Sequence, residues 1–265
     1  MIKDVFNVYK IELEKIIKRK DIFILFIFLG ISILIASSVL SPEYKDINNQ
    51  SAIYWTCKQI FNSSIFMISP MLSAYIGTKM LSSEITNESI ILYTIRIKDR
   101  KCIYIGKSLA LLTFITIIFI MVILINLSTY YIIVVKNPLI ASNTFWGENS
   151  IYIIITIIML YISSFVLSAE FALFLGAFFN QTKSISIVFL VSLFLNNTFK
   201  VPFIRLINPL YYLIRFSDEI TSSTGVIEIN FSHKIILIAL FSILFFIYIC
   251  IFNIIGSNKF KRIEL

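Results

Sequence analysis

Six stretches of this chain, 22–42, 59–78, 108–135, 149–182, 184–199 and 235–258, contain no charged side chain apart from Glu170 in the fourth. A bilayer core takes about 20 apolar residues of helix to cross. In lipid, each backbone N–H and C=O must find its partner within its own segment, so such stretches are expected as helices. The expected fold is therefore all-α: a polytopic membrane protein with six transmembrane helices. They run over about 22–40, 59–78, 103–127, 151–178, 184–199 and 235–256, in a single transmembrane domain over 1–265. Composition points the same way. Charged residues make up 14% of the chain and hydrophobic residues 58%, whereas soluble domains are about 25% charged. The fifth uncharged run has only 16 residues; it crosses if Lys200 snorkels to the interface.

Orientation follows from the distribution of Lys and Arg. With the N-terminus in the cytoplasm, the inner segments 1–21, 79–107, 180–184 and 257–265 hold 16 of these residues. The outer segments 41–58, 136–150 and 200–234 hold 7. The positive-inside rule then places both termini in the cytoplasm of a multi-pass cell-membrane protein. The net charge of +8 is thereby explained by topology, and no nucleic-acid partner is expected. Acidic residues and a helical pattern within 1–18 argue against a cleaved leader. Cys57, Cys102 and Cys250 lie in three regions with no CxxC spacing, which supports neither a disulfide framework nor a metal site.

The elbow region 1–20 has its own pattern. Ile2, Val5, Phe6, Tyr9, Leu13, Ile16 and Ile17 form a stripe about 120° wide on a helix over 2–18. Lys3, Asp4, Asn7, Lys10, Glu14, Lys15 and Lys18 lie off it. Such a helix is expected to lie along the inner membrane surface, its lysines near anionic lipid headgroups. Further along, Pro42 should stop the first span and Pro70 should kink the second. The third is expected to project beyond the membrane or to bend near Asn126, Ser128 and Thr129. The sixth should end at Gly256. Residues 203–216, within the outer segment 200–234, are too apolar for a free loop and too short to span; a re-entrant or surface-lying hairpin is expected there.

Enzyme chemistry has little support. The chain contains no GxxxxGK[ST], HExxH or GxSxG motif, so no catalytic residue, metal or cofactor is assigned to it. The only histidine, His233, sits beside Lys234 at a span edge and reads as a polar anchor. Glu170 is the exception inside the membrane. An ionisable group there is a functional-site candidate by default, with Asn126 on another helix as a polar group for it to pair with. An ion-coupled carrier or channel using Glu170 is the alternative function.

The inner segment from Glu84 to Lys107 reads EITNESIILYTIRIKDRKCIYIGK. It resembles, without a gap, the cytoplasmic loop of type-2 ATP-binding-cassette exporter permeases. That loop runs Glu-x-x-x-Gly-Thr, a short apolar helix, Pro-x-Ser-Arg, then Gly-Lys opening the third span. Glu84 falls on the glutamate, Asp99-Arg100 on the Ser-Arg pair and Gly106-Lys107 on the Gly-Lys pair. Glu88-Ser89 stands where Gly-Thr is usual, and Ile97 where Pro is common. The string INPLYYL, Ile207 to Leu213, resembles the family's Ser-Pro-x-x-Tyr element before the last span.

The resemblance implies that 84–102 is a coupling loop docking a cytosolic P-loop ATPase subunit. Glu84, Asn87, Glu88, Ile91, Tyr93, Arg96, Asp99 and Arg100 would make the contacts. ATP and Mg would belong to that partner, and a second permease subunit, the same chain or a related one, would complete the assembly. The expected function is export of an amphipathic or lipid-like substrate, such as an antimicrobial peptide. The residues themselves fit docking: Ile90, Ile91, Tyr93 and Thr94 suit a short helix along the membrane, capped by Asn87 or Ser89. Composition alone favours a solvated loop obeying the positive-inside rule; the ordered match to the family's loop favours docking.

Overall fold

The computed structural model describes residues 2–19, 23–38, 51–65, 67–97, 99–136, 142–147, 150–198, 201–221 and 231–262. The stop at Pro42, the snorkelling Lys200 and most of the outer loop 41–58 lie outside the described residues. Among those described, 89% are helical and none is in a strand. The helices are α1 (Ile2–Lys18), α2 (Ile24–Ser38), α3 (Ala52–Ile65), α4 (Ile68–Thr86), α5 (Ile91–Arg96) and α6 (Arg100–Ile132). They continue with α7 (Ser150–Leu160), which runs through a π-helical turn, Tyr161–Val166, into α8 (Leu167–Gly176). The remainder are α9 (Gln181–Asn197), α10 (Pro202–Ile207), α11 (Pro209–Thr221) and α12 (Phe231–Lys261).

Among the described residues, three continuous helical segments are long and apolar enough to cross a membrane: Arg100–Lys136, Ser150–Gly176 and His233–Lys261. A fourth is reached if Ala52–Ser64 and Ile68–Thr86, which meet at 64°, count as one bent span. Six were expected. Among the described residues, the first and fifth stretches form helices of 15 and 17 residues, below the length of about 20 that a 30 Å core requires. The apolar helices are consistent with a multi-pass membrane protein. So are their outward faces, where Phe26, Leu34, Ile120, Leu124, Phe246 and Ile254 are exposed.

Several local expectations change in instructive ways. The second stretch does break, but at Met67, whose φ of 61° is left-handed, and not at Pro70. Pro70 falls in the first turn of α4, where a helix has no use for its N–H. Helix α6 continues without a break through Asn126, Ser128 and Thr129. The Ser128 and Thr129 hydroxyls donate to carbonyls of their own helix, those of Leu124 and Asn126. Its 33 residues span about 50 Å, and the helix is unbroken at these residues. Helix α12 runs past Gly256 to Lys261. Gly256 instead makes room for Tyr104, whose hydroxyl lies 2.3 Å from where a Cβ would stand. The segment 203–216 forms two helices with a corner at Asn208, whose side chain caps Leu210 N–H and donates to Leu195 C=O.

Packing is closest where side chains are small. Helix α4 lies against α8 through Ala74, Gly77, Ala169 and Ala172, all buried. Ser82 donates to Phe179 C=O at 2.9 Å and ties the end of α4 to the turn after α8. Helix α6 is the hub, packed against α1, α2, α3 and α12.

Candidate functional site

Helix α1 divides into faces that its apolar stripe only half describes. Val8, Glu12 and Ile16, at i, i+4 and i+8, are buried against the rest of the chain. Of these only Ile16 belongs to the stripe, whose Ile2, Phe6 and Ile17 are exposed. The apolar stripe thus serves two neighbours: part packs on α6 and part faces outward. The fit on α6 depends on Gly106, where a Cβ would stand 2.7 Å from Val8 Cβ. Glu12 rides on the buried face at the edge of the stripe.

That placement carries a carboxylate into the junction of four helices. Lys107, fully buried near the start of α6, makes two hydrogen bonds and a further ion pair there. Its Nζ lies 2.7 Å from Glu84 Oε2, 3.0 Å from Glu12 Oε1 and 2.9 Å from Met80 C=O. Glu84, near the end of α4, also receives Lys15 at 3.0 Å and Arg19 at 2.7 Å on its Oε1. Glu12 Oε1 takes a further contact from Lys15 at 3.2 Å and accepts from the Tyr93 hydroxyl of α5. Lys15 and Lys107 both lie over the Tyr93 ring, 4.5 and 5.2 Å from its centroid. Three cations and two carboxylates therefore interlock α1, α4, α5 and α6. Burial, and then the nearby Glu12 and Glu84 charges, push the Tyr93 hydroxyl well above its usual range. It stays a neutral donor to Glu12.

The loop between α4 and α6 is built on this cluster. Helix α4 ends at Thr86, and the chain reverses through Asn87, Glu88 and Ser89, all exposed. Glu88 has a left-handed φ of 56°. This is the position where the resembling loop has glycine, the residue that adopts such a φ freely. Neither Asn87 nor Ser89 caps α5. Its N-cap is Ile90, without a side-chain cap, because Ser89 Oγ points back to Glu84 C=O at 3.4 Å. Asp99 is exposed and caps α6 at Lys101 N–H, 3.1 Å away.

Of the residues expected to face an ATPase, Asn87, Glu88 and Asp99 are exposed, and Ile91 and Arg100 are half-buried. Glu84 and Tyr93 point inward, onto α1 and α6. The Arg96 side chain lies outside what is described. Beside this loop a cleft of about 750 Å³ opens between α1 and α5, with Lys10, Lys15, Arg19, Asp4 and Glu84 on its walls.

The two intramembrane candidates are held apart. Glu170, fully buried on α8, accepts from Ser108 of α6 at 2.7 Å and faces Asn253 of α12. Asn126 accepts from Ser32 of α2 at 2.7 Å. Ser108 and Asn126 are 18 positions apart on one helix, about 27 Å, so Glu170 and Asn126 serve different helix pairs. His233 is exposed at the start of α12.

Among the described residues no cluster of His, Cys, Asp and Glu suited to a metal is present. No protein-family model matches the chain, and no curated protein matches it. Glu12, Lys15 and Arg19 were not singled out from the sequence. The available signal was Glu12 itself, an acid bordering an apolar stripe, which is costly unless a buried cation waits for it.

Proposed function

We propose that this chain is the membrane subunit of an ATP-powered exporter, with six membrane crossings, both termini cytoplasmic and the energy supplied by a separate P-loop ATPase. The observation that carries this reading is the charge cluster. It joins the short helix α5 to the elbow helix α1 and to two apolar helices, α4 and α6. A partner pushing on the exposed turn at Asn87–Ser89 would move α5, α1 and the ends of α4 and α6 as one body. This is what a lever between an ATPase and a transport path requires. In this reading Glu84 and Tyr93 brace the lever from within, while Asn87, Glu88 and Asp99 meet the partner. A second copy or a related chain completes the permease. The substrate is amphipathic or lipid-like, an antimicrobial peptide being one such molecule. Glu170, bonded to Ser108, acts as a helix-joining contact rather than an ion carrier.

The test is co-purification with a candidate ATPase, such as one encoded beside this chain. Charge reversal at the exposed pair, Glu88→Lys with Asp99→Lys, should reduce the retained ATPase at least tenfold while the chain stays monodisperse. Equal retention, or ATP-independent flux by the purified chain alone, overturns the reading.

A further inference from the structure

A cavity of about 270 Å³ lies about 25 Å along α4 from the charge cluster, where α3 breaks from α4. Its walls come from that break, the π-helical turn, α9, α11 and α12, and most of them are apolar: Phe61, Leu160, Leu213 and Phe252 among others. Ser64, Ser163, Ser164, Ser168, Ser192 and Asn196 add polar groups to the lining. Ser64 donates to Ile60 C=O, Ser163 to Met159 C=O and Ser168 to Ser164 C=O. Ser164, on the π-helical turn, is 2% exposed, and its hydroxyl has no hydrogen-bond partner among the described residues. A buried hydroxyl left unmatched is uncommon and calls for a partner. A π-helical turn often marks a functional site.

We propose that this cavity binds an aliphatic chain carrying one hydroxyl or carbonyl group, with Ser164 as the polar contact. The volume is nearly twice that of an apolar cavity of about 150 Å³, which takes up benzene. A water molecule needs two to four polar partners, whereas the walls around Ser164 are mostly apolar, so an aliphatic body matches them better. A hydroxyl both donates and accepts, so Ser164 matches an alcohol or a carbonyl equally. An aliphatic body satisfies the remaining walls by dispersion and exclusion from water. The inference deepens the proposed export role by naming a ligand class, and it rests on that role only for the step from binding to transport.

The experiment uses the whole chain in phosphatidylcholine nanodiscs, without any ATPase. A diazirine analogue of 1-decanol is photolysed, and the labelled residues are mapped by mass spectrometry. Saturable labelling is expected within 160–171 and 188–196, reduced at least tenfold by excess 1-decanol. n-Decane should compete about fivefold less well, the value of roughly one hydrogen bond. Ser164→Ala should equalise the two competitors while leaving the cavity labelled, and Leu213→Trp should fill the cavity and abolish labelling. Labelling that rises linearly with probe and falls equally on exposed Ile243 and Phe246 of α12 overturns the site. So does an alcohol preference that survives Ser164→Ala. The parent-chain competition requires no variant, and loss of ATPase docking would leave this result standing while removing the exporter role.

Discussion

Replacing Lys107 with methionine tests whether the charge cluster organises the α1–α4–α5–α6 junction. Methionine keeps the length and most of the volume but removes the ammonium and its three contacts, to Glu84 (2.7 Å), Glu12 (3.0 Å) and Met80 C=O (2.9 Å). At an effective dielectric of 20, each ion pair at these distances is worth about 6 kcal/mol before desolvation. The variant no longer has to desolvate the lysine, which returns several kcal/mol. It still leaves Glu12 buried, with Lys15 as its remaining cation. Breaking one side of a buried pair costs about 3–5 kcal/mol on balance. That range corresponds to a Tm lower by about 6–20 °C for a chain of this size. Fluorescence-detected gel filtration after heating would measure it. Adding Glu12→Gln removes the carboxylate that lost its partner, so the double variant should recover part of the loss, with a coupling of about 1–3 kcal/mol. A Lys107→Met protein whose Tm lies within 2 °C of the parent would refute the assignment of the cluster as the organising contact. Strict additivity of the two changes would do the same.

Four further expectations follow from particular contacts. Gly106→Leu should displace α1 from α6, because even a Cβ would stand 2.7 Å from Val8 Cβ; faster proteolysis near 19–23 is the readout. Glu88→Gly should leave stability unchanged or raise it by up to about 1 kcal/mol, since glycine relieves a left-handed φ but loosens the unfolded chain. A clear Tm loss would count against the turn. Burial raises the Tyr93 hydroxyl above its unfolded value of about 10. Its contribution is therefore complete below pH 10 and declines above that, as the unfolded tyrosine ionises and the folded one does not. A Tyr93→Phe chain should lose stability less steeply with pH over that range, and parallel slopes would exclude the effect. Glu170→Gln keeps an acceptor for Ser108, so full expression and transport are expected. Loss of transport with normal folding would return Glu170 to an ionic role.

Helicity was legible in the sequence for a local reason. An uncharged run must satisfy its backbone internally, and 108–135, 149–182 and 235–258 all became long helices on that ground alone. The break at Met67 was not legible, because the residues on both sides of it are equally apolar. Nor was the π-helical turn, since YISSFV carries no local signal that distinguishes it from α-helix. The residues of 84–107 drew attention through their resemblance to a known pattern, which is a statement about spacing, and spacing is silent on which side chains turn inward. Lys107 was visible only as half of a Gly-Lys pair.

What the sequence determined by itself is an all-helical, apolar chain with a polar segment between Glu84 and Lys107 and an amphipathic start. These are properties of neighbours along the chain. Only the tertiary structure decided that Glu12 meets Lys107, that Ser108 meets Glu170 and that Ser32 meets Asn126, pairs separated by 95, 62 and 94 positions. Only it opened the cavity at Ser164. Such contacts depend on how helices cross, through small surfaces such as Gly106 against Val8 and Gly77 against Ala169. Helix crossing is set by the packing of whole faces, and no single segment carries that information.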